Sequence, residues 1–418
     1  MPNGFYLLLT TQFVSALADH ALLVIAIGLL QHGGAAAWWI PILKVLHIGA
    51  YVALAPWVGL LADALPKARV MAAMNAVKLA GTAAMLAGLH PMLAFAAVGC
   101  GAAAYAPAKY GWVVEACSPG QLVRANAWIE VSVIGAALLG TALGGFLAGP
   151  WHTAWWRDSA TAGGWAGGVL AGGSGLEAGL AAVLALYALA GLMNLALRDL
   201  QRRDAASPSG TGEVVHRFVD DNARFWRDPV GRLSLLATSL SWGFGAVLQF
   251  AVLRWAQSTL GLGLDTAAYL QAVVAIGLGC GAAAAGRWIA LHQAGRVLPL
   301  GIVAGLLVAA GALAPTATSA AAVLVGVGAL GGALVVPMNA LLQHRGQQLV
   351  SAGRSIAVQG FNENLAVLAM LSGYAALVAC EVDARAMVAG LGAGLAVAIG
   401  WLARRPSPAA PASPRDGH

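Results

Sequence analysis

Residues 5–30 read FYLLLTTQFVSALADHALLVIAIGLL, an apolar run in which Asp19 is the one residue among Asp, Glu, Lys and Arg. At a rise of about 1.5 Å per residue, a helix of this length crosses the roughly 30 Å hydrocarbon core of a bilayer. The apolar core of a cleavable signal peptide is shorter and is followed by a small-residue cleavage site. We therefore expect this run to be a retained first membrane-spanning helix.

The rest of the chain continues this pattern. Of its 418 residues, 60% are hydrophobic and only 10% are charged, whereas a soluble domain has roughly 25% charged residues. Apolar runs of about 18 residues or more are typical of membrane helices. The sequence therefore predicts an all-α membrane protein with twelve spans, at residues 5–31, 38–62, 70–88, 91–114, 123–148, 176–198, 231–258, 267–291, 296–314, 319–343, 355–379 and 384–403.

The basic residues indicate the topology. Of the 23 Lys and Arg residues, 17 sort to one side of the twelve spans, in the connections or at the span ends beside them, and only Arg157 and Arg385 sort to the other. Because positively charged connections stay in the cytoplasm, we expect a multi-pass protein of the bacterial inner membrane with both termini cytoplasmic. The net charge of +6 thus reflects topology and gives no reason to expect nucleic-acid binding.

The sequence predicts neither a metal centre nor a cofactor. Its four cysteines are scattered, without the spacing of a metal or redox site. It also contains no nucleophile elbow and no metal constellation, which disfavours a membrane enzyme such as an acyltransferase.

The longest predicted cytoplasmic connection divides the spans six and six. We expect an N-terminal six-helix bundle at 1–198, a linker at 199–230, a C-terminal six-helix bundle at 231–405 and a disordered Pro/Ala/Ser-rich tail at 406–418. The later part of the linker mixes apolar and charged residues, which favours a short amphipathic helix on the membrane surface. Tryptophans among many glycines at 149–175 indicate an interfacial aromatic hairpin.

The two halves contain an internal repeat. The fourth span has Pro107-Ala-Lys109, the tenth has Pro337-Met-Asn339, and a short polar connection follows each. An acidic residue then lies one to two turns into the next span, Glu130 in the first half and Glu363 in the second. Two pseudo-symmetric six-helix bundles are typical of major-facilitator transporters. Chance similarity between Gly/Ala-rich helices is the alternative.

The connection after the second span contains Gly59-Leu-Leu-Ala-Asp63-Ala-Leu-Pro-Lys67-Ala-Arg69. This resembles a loop signature of the major facilitator superfamily, in which Asp follows Gly by four residues and basic residues come next. Gly59 permits close helix packing, and Asp63 can accept hydrogen bonds from a helix N-terminus or pair with an arginine. The resemblance implies that Gly59, Asp63, Lys67 and Arg69 form a conformational latch, and it leaves the cargo open.

Charged side chains inside the spans are candidate functional residues, because each is costly in hydrocarbon unless it is paired or faces a wet cavity. Lys44 and Arg254 lie near the outer ends of their spans, where snorkelling to the interface is the simpler explanation. Lys78 lies about two turns into the third span. The candidates for a central cavity are Asp19, Lys109, Glu130 and Glu363, of which Lys109 and Glu130 could pair.

Several stretches occur in order at corresponding spans: Phe13-Val-Ser-Ala-Leu-Ala-Asp19-His-Ala-Leu-Leu23, Ala103-Ala-Tyr-Ala-Pro107-Ala-Lys109-Tyr-Gly111, Leu122-Val-Arg-Ala-Asn126, Val335-Val-Pro337-Met-Asn339-Ala-Leu-Leu-Gln343, Ala357-Val-Gln359 and Glu363-Asn364. They resemble the bacterial lysophospholipid transporter family, and the likeness runs across all twelve spans. It implies movement of lysophospholipids, chiefly lysophosphatidylethanolamine and lysophosphatidylglycerol, from the outer to the inner leaflet of the inner membrane. A cytoplasmic acyltransferase, the implied functional partner, then restores the second chain.

The family pattern implies substrate-binding or gating roles for Asp19, Lys109, Asn126, Glu130, Asn339, Gln343, Glu363 and Asn364. The chain departs from this pattern at three places. The family has a basic residue near Gln249, and here Arg254 lies five residues further on and is a candidate substitute. His20 and Arg354 stand where the family usually has Asn.

A carrier of such lipids needs a buried cation for the phosphate and an acid for an ammonium group. Lys109, with Arg254, is the candidate for the phosphate, and Asp19 is the candidate for an ethanolamine amine or a gating pair. A proton-coupled exporter of drugs or other small solutes on the same fold is the main alternative. A scaffold that transports nothing is a further one.

Overall fold

A computed structural model describes residues 1–35, 39–148, 175–197 and 210–404. Long helices account for nearly all of this part of the chain, which confirms the all-α prediction. The helices are α1 (Phe5–His32), α2 (Trp39–Ala64), α3 (Lys67–Leu86), α4 (Pro91–Ala116), α5 (Leu122–Ala148), α6 (Gly175–Leu195), α7 (Thr211–Arg227), α8 (Pro229–Leu260), α9 (Leu264–Trp288), α10 (Leu298–Gly311), α11 (Ala317–Leu349), α12 (Ala352–Ala379) and α13 (Ala384–Ala403). Short 3₁₀ segments at Pro119–Gln121 and Leu291–Val297 precede α5 and α10.

All of these helices except α7 correspond to the predicted spans. Within the described ranges, eleven helices are long and apolar enough to cross a membrane, so the chain is a multi-pass membrane protein. The remaining one, α3, falls outside this group and contains Lys67, Arg69 and Lys78. The predicted aromatic hairpin and tail, and the start of the linker, lie outside the described residues.

The linker helix α7 has two distinct sides. Val214, Phe218, Asp221 and Phe225, spaced four, three and four residues apart, are buried on one face. Val215, Val219 and Trp226 are exposed beside that face. The amphipathic helix is therefore present, and its position on the membrane surface stays a prediction.

The described chain forms two compact units. The described residues of the first unit lie within Met1–Ala116, Ser132–Phe218 and Ala352–Ala357, and those of the second lie within Cys117–Val131, Val219–Ser351 and Val358–His418. The first turns of α5 thus belong to the second unit and the first turns of α12 to the first unit.

Small residues set the helix packing within each unit. In the second unit, α9 and α11 approach so closely that a Cβ added at Gly281 would clash with the carbonyl of Ala329. A Cβ at Gly332 would likewise clash with the carbonyl of Leu278. Close backbone contact through glycine is typical of membrane helices, where dispersion and not water exclusion drives association.

Candidate functional site

The first unit holds a buried ion pair between Asp19 of α1 and Lys78 of α3. Lys78 Nζ lies 2.7 Å from Asp19 Oδ2, and the Tyr187 hydroxyl of α6 donates to Asp19 Oδ1 at 2.7 Å. The Lys78 side chain is only 2% exposed and that of Asp19 is 24% exposed. Both carboxylate oxygens are therefore fixed by donors from two other helices.

Further polar groups surround the ammonium group of Lys78. It donates to Ser15 Oγ at 3.1 Å, and Ser15 donates in turn to Asn75 Oδ1 at 2.7 Å. The rings of Tyr105 and Tyr187 lie 5.2 and 5.7 Å from Lys78 Nζ, within the range of cation–π attraction. We call Ser15, Asp19, Asn75, Lys78 and Tyr187 the Asp19 cluster.

Buried polar atoms near the Asp19 cluster are left without a hydrogen bond of good geometry. They are Asn75 Nδ2, the Tyr105 hydroxyl and both amide atoms of Asn194, which lies beside Tyr105. Asn75 and Asn194 are fully buried. Unsatisfied buried polar groups usually mark a position for water or for a polar ligand.

Lys109 forms a second polar contact along α1. Its Nζ donates to Gln12 Oε1 at 3.2 Å and lies 4.3 Å from the centre of the Tyr110 ring. Gln12 Nε2 donates to Ser132 Oγ of α5 at 3.0 Å. Gln12 and Asp19 lie seven residues apart, which is two helical turns on one face of α1. The structure therefore places two buried lysines along one face of α1, and pairing of Lys109 with Glu130 stays a prediction.

Two of the predicted latch residues, Gly59 and Asp63, contact the start of α12. Asp63 accepts hydrogen bonds from the backbone N–H groups of Gly353 at 2.8 Å and Arg354 at 3.1 Å. Gly59 lies against the same turn, because a Cβ there would be 2.8 Å from Arg354 Cα. Lys67 pairs with Glu115 at 2.7 Å.

In the second unit, Asn126 of α5 and Gln343 of α11 form a reciprocal amide pair. Asn126 Nδ2 donates to Gln343 Oε1 at 2.8 Å, and Gln343 Nε2 donates to Asn126 Oδ1 at 2.9 Å. Both side chains are buried, and Asn126 also donates to the carbonyl of Leu122. Two side chains 217 positions apart thus satisfy each other.

Other predicted residues of the second unit have three separate sets of neighbours. Glu363 accepts a hydrogen bond from Gln359 at 2.8 Å, and Gln359 also donates to Asn339 at 3.0 Å. Asn364 donates to the carbonyl of Gly360 on its own helix. Arg254 lies beside the Tyr374 hydroxyl, and its Nη1 is buried without a hydrogen-bond partner.

Gln249, where the chain departs from the family pattern, contacts a neutral side chain, Gln271. Gln271 Nε2 donates to the Gln249 carbonyl at 2.7 Å, and the two side chains lie 3.4 Å apart. The structure therefore shows an amide contact at the position where the family has a basic residue.

Sequence reasoning gave little weight to Lys78 and did not single out Ser15, Asn75, Tyr187 or Gln359. A signal was available in the spacing. Ser15 and Asp19 are four residues apart, and Asn75 and Lys78 are three apart, so each pair lies on one helix face. A lysine on a polar face of one span and an acid on a polar face of another are candidates for an ion pair.

Comparisons with known proteins identify the fold and the family. No protein-family model matches the chain. Among solved structures, the outward-conformation structure of the major-facilitator transporter FucP has a TM-score of 0.74 at 14% identity, covering 97% of this chain and 99% of that one. A human organic anion transporter has a TM-score of 0.71 at 16% identity, covering 96% and 98%. The fold is that of a membrane transporter of the major facilitator superfamily.

Curated relatives define the family more closely. A protein of Salmonella arizonae named lysophospholipid transporter LplT is 38% identical over 406 residues, covering 96% of both chains. Proteins of the same name from Serratia proteamaculans and Escherichia coli are 40% identical over 364 residues (87% of this chain, 85% of the relative) and 38% identical over 401 residues (95% and 94%). The chain belongs to the lysophospholipid transporter family.

Proposed function

We propose that this protein moves lysophospholipids, including lysophosphatidylethanolamine and lysophosphatidylglycerol, from the outer to the inner leaflet of the bacterial inner membrane by alternating access. Its termini lie in the cytoplasm, it transports without catalysing a reaction, and a cytoplasmic acyltransferase uses the delivered lipid. Curated relatives that share nearly the full length of the chain support the cargo.

The Asp19–Lys78 ion pair is the observation that carries the proposal. An acid and a base held 2.7 Å apart inside apolar helices offer opposite charges to a phosphate and an ammonium group. The unsatisfied atoms of Asn75 and Asn194 provide further donors and acceptors nearby. A polar lipid head exchanges these contacts for its own, while the single acyl chain stays in an apolar environment. Lys109 is the second cation for the phosphate.

Leaflet-resolved uptake of labelled lysophosphatidylethanolamine by proteoliposomes tests this function. Wild-type protein should move the label to the opposite leaflet, and Asp19→Asn should reduce the rate by about tenfold or more, a loss of about 1.4 kcal/mol or more of stabilisation. Glu177→Gln, a carboxylate at the start of α6 in the same unit, is the matched control and should transport normally.

Removing Asp19 alone leaves Lys78 buried and uncompensated, which costs about 3–5 kcal/mol. The double variant Asp19→Asn/Lys78→Met removes both charges and should fold, since a neutral pair replaces the ion pair. We expect it to be inactive. If the double variant folds and takes up lipid at the wild-type rate, the pair has no role in transport.

Two outcomes would redirect the function. Proton-gradient-dependent efflux of small solutes with no movement of lysophospholipid would favour the exporter alternative. Absence of any flux from purified, folded protein would favour a scaffold.

A further inference from the structure

The second unit contains a cluster of oxygen atoms around Glu363. Gln359 and Glu363 lie one turn apart on α12, Asn339 lies on α11, and Thr238 of α8 lies beside the Glu363 carboxyl group. Gln359, Asn339 and Thr238 are 7%, 6% and 0% exposed. We call these four residues the Glu363 cluster.

The cluster contains one ionisable side chain, the Glu363 carboxyl group. Among the residues that the structure describes, no Lys or Arg forms an ion pair with Glu363. The Glu130 carboxylate lies near enough to add to the negative potential. An unpaired carboxylate within a membrane-spanning helix is costly unless a cation or a proton compensates it.

One acceptor within the cluster is unused. Gln359 Nε2 donates to both Glu363 Oε1 and Asn339 Oδ1, at 2.8 and 3.0 Å, which fixes the orientation of the amide. Gln359 Oε1 is consequently buried without any hydrogen-bond partner. A buried acceptor of this kind calls for a donor or an ion that the protein itself does not supply.

The available ligands are all oxygens: a carboxylate, two amide carbonyls and a hydroxyl. Oxygen ligands of this kind suit hard cations. The single carboxylate among these ligands balances a single positive charge. A divalent ion usually takes more carboxylates, and no group of three or more His, Cys, Asp or Glu side chains fit for a metal occurs in the described ranges.

We propose that Glu363, Gln359, Asn339 and Thr238 bind a monovalent cation, either an alkali-metal ion or the ammonium group of an ethanolamine headgroup. In the second case the site serves the proposed lysophospholipid transport directly and rests on that function. In the first case it couples occupancy of the second unit to the ionic composition of the medium.

Thermal unfolding of the purified full-length protein in detergent tests the site without any transport measurement. NaCl, KCl and N-methyl-D-glucamine chloride are compared at equal ionic strength. Lysophosphatidylethanolamine and lysophosphatidylglycerol are compared in the organic chloride alone. A saturable rise in Tm with Na⁺ or K⁺ identifies an alkali ion, and a rise specific to the ethanolamine lipid identifies the ammonium group.

Glu363→Gln should weaken the effective ligand at least tenfold in apparent Kd, which corresponds to about 1.4 kcal/mol. Gln359→Met removes the unused acceptor at similar volume and should also weaken it, so the test survives poor folding of either variant. Glu381→Gln, an exposed carboxylate in the same unit, is the control and should bind as the wild type does.

A Tm that responds to none of these ligands, or a response that Glu363→Gln and Gln359→Met both retain, would overturn the proposal. Alkali-ion binding is measured without lipid. Absence of such binding would therefore not count against the proposed lipid transport. Loss of flux in the wild type would instead overturn the proposed function.

Discussion

The two units differ in the contacts that hold the start of a helix in place. In the first unit, Gly59 lies against the first turn of α12, and Asp63, four residues later, accepts from two backbone N–H groups there. In the second unit, Gly286 lies against the first turns of α5, where a Cβ would clash with that of Ala127. Ala290 stands four residues after Gly286, so the acid has no counterpart.

In the second unit, the polar contact near the start of α5 is uncharged: it is the amide pair between Asn126 and Gln343. Close packing needs only the absence of a side chain, so glycine is present at both positions. Capping a helix N-terminus needs an acceptor, and an aspartate also interacts with the helix dipole. The comparison shows that both halves keep a glycine against a helix start, while the polar contact there differs between the halves.

The largest effect should follow from filling the glycine positions. Gly59→Ala places a Cβ 2.8 Å from Arg354 Cα and 3.2 Å from the Gly353 carbonyl, and backbone atoms cannot rotate away. We expect a loss of about 1–3 kcal/mol of stability and of transport. Thermal unfolding and proteoliposome uptake measure both. Gly49→Ala, on the same helix with open space around it, is the matched control.

The corresponding change in the second unit can be rescued. Gly286→Ala meets chiefly the Ala127 methyl group, and the nearest backbone atom of Arg124 is 3.5 Å away. Gly286→Ala/Ala127→Gly should therefore recover most of the lost stability. If Gly286→Ala costs as much with Ala127→Gly as without it, the Ala127 methyl group is not what limits the space at Gly286.

Loss of the aspartate cap should have the next largest effect. Asp63→Ala leaves the N–H groups of Gly353 and Arg354 without their acceptor, which should cost about 1–2 kcal/mol. Asp63→Asn keeps an acceptor, so its Tm should lie between those of the wild type and Asp63→Ala. Asp383→Ala removes the exposed cap at the start of α13, whose Oδ1 accepts from Ala386, and should lower stability without slowing transport. Equal transport by Asp63→Ala and the wild type would contradict a latch.

The amide pair should contribute less than the charged cap. Asn126→Ala and Gln343→Ala should each destabilise the protein. A double-mutant cycle should give a coupling energy of about 1 kcal/mol, because each amide loses the same partner. Strict additivity of the two changes in unfolding measurements would show that the pair is not coupled.

The smallest effect should appear in the pH dependence of Tm, which distinguishes a charged contact at a helix start from an uncharged one. At the start of α8, Asp228 accepts from Gly231 N–H at 2.7 Å and pairs with Arg345 at 2.7 Å. Burial alone would raise the pKa of Asp228, but these hydrogen bonds lower it below its ordinary value of 3.8. A lowered pKa gives stability that is complete above the ordinary value and is lost as the pH falls through the lowered one.

We therefore expect Tm to fall in acid more steeply for the wild type than for Asp228→Asn, whereas Asn126→Ala should leave the shape of the pH profile unchanged. Unfolding measured between neutral pH and pH 3 or so covers this window. An unchanged acid slope in Asp228→Asn would show that the carboxylate does not contribute.

The membrane spans were predictable because their signal is local. A run such as residues 5–30 identifies a membrane helix whatever the rest of the chain does, since length and hydrophobicity suffice. The repeat was visible for the same reason, because Pro107 and Pro337 lie in corresponding helices. The family resemblance, spread over all spans, is confirmed by the relatives.

The site was predicted only in part. Asp19 was singled out because it is a charge within an apolar run, but its partner lies 59 residues away on another helix. The spacing of Asn75 and Lys78 placed both on one helix face, but it did not show which acid Lys78 would meet. Gln359 was quoted within a family motif, and its role in joining Glu363 to Asn339 became visible only with the helices packed.

The sequence by itself determined which segments are long and apolar enough to span a membrane and which family the chain resembles, because these depend on composition and order along the chain. Only the tertiary structure decided that Asp19 pairs with Lys78, that Asn126 meets Gln343 and that Glu363 shares its surroundings with an unused amide oxygen. The physical reason is distance: a charge or amide in hydrocarbon must find a partner within about 3 Å, and helix packing alone selects it.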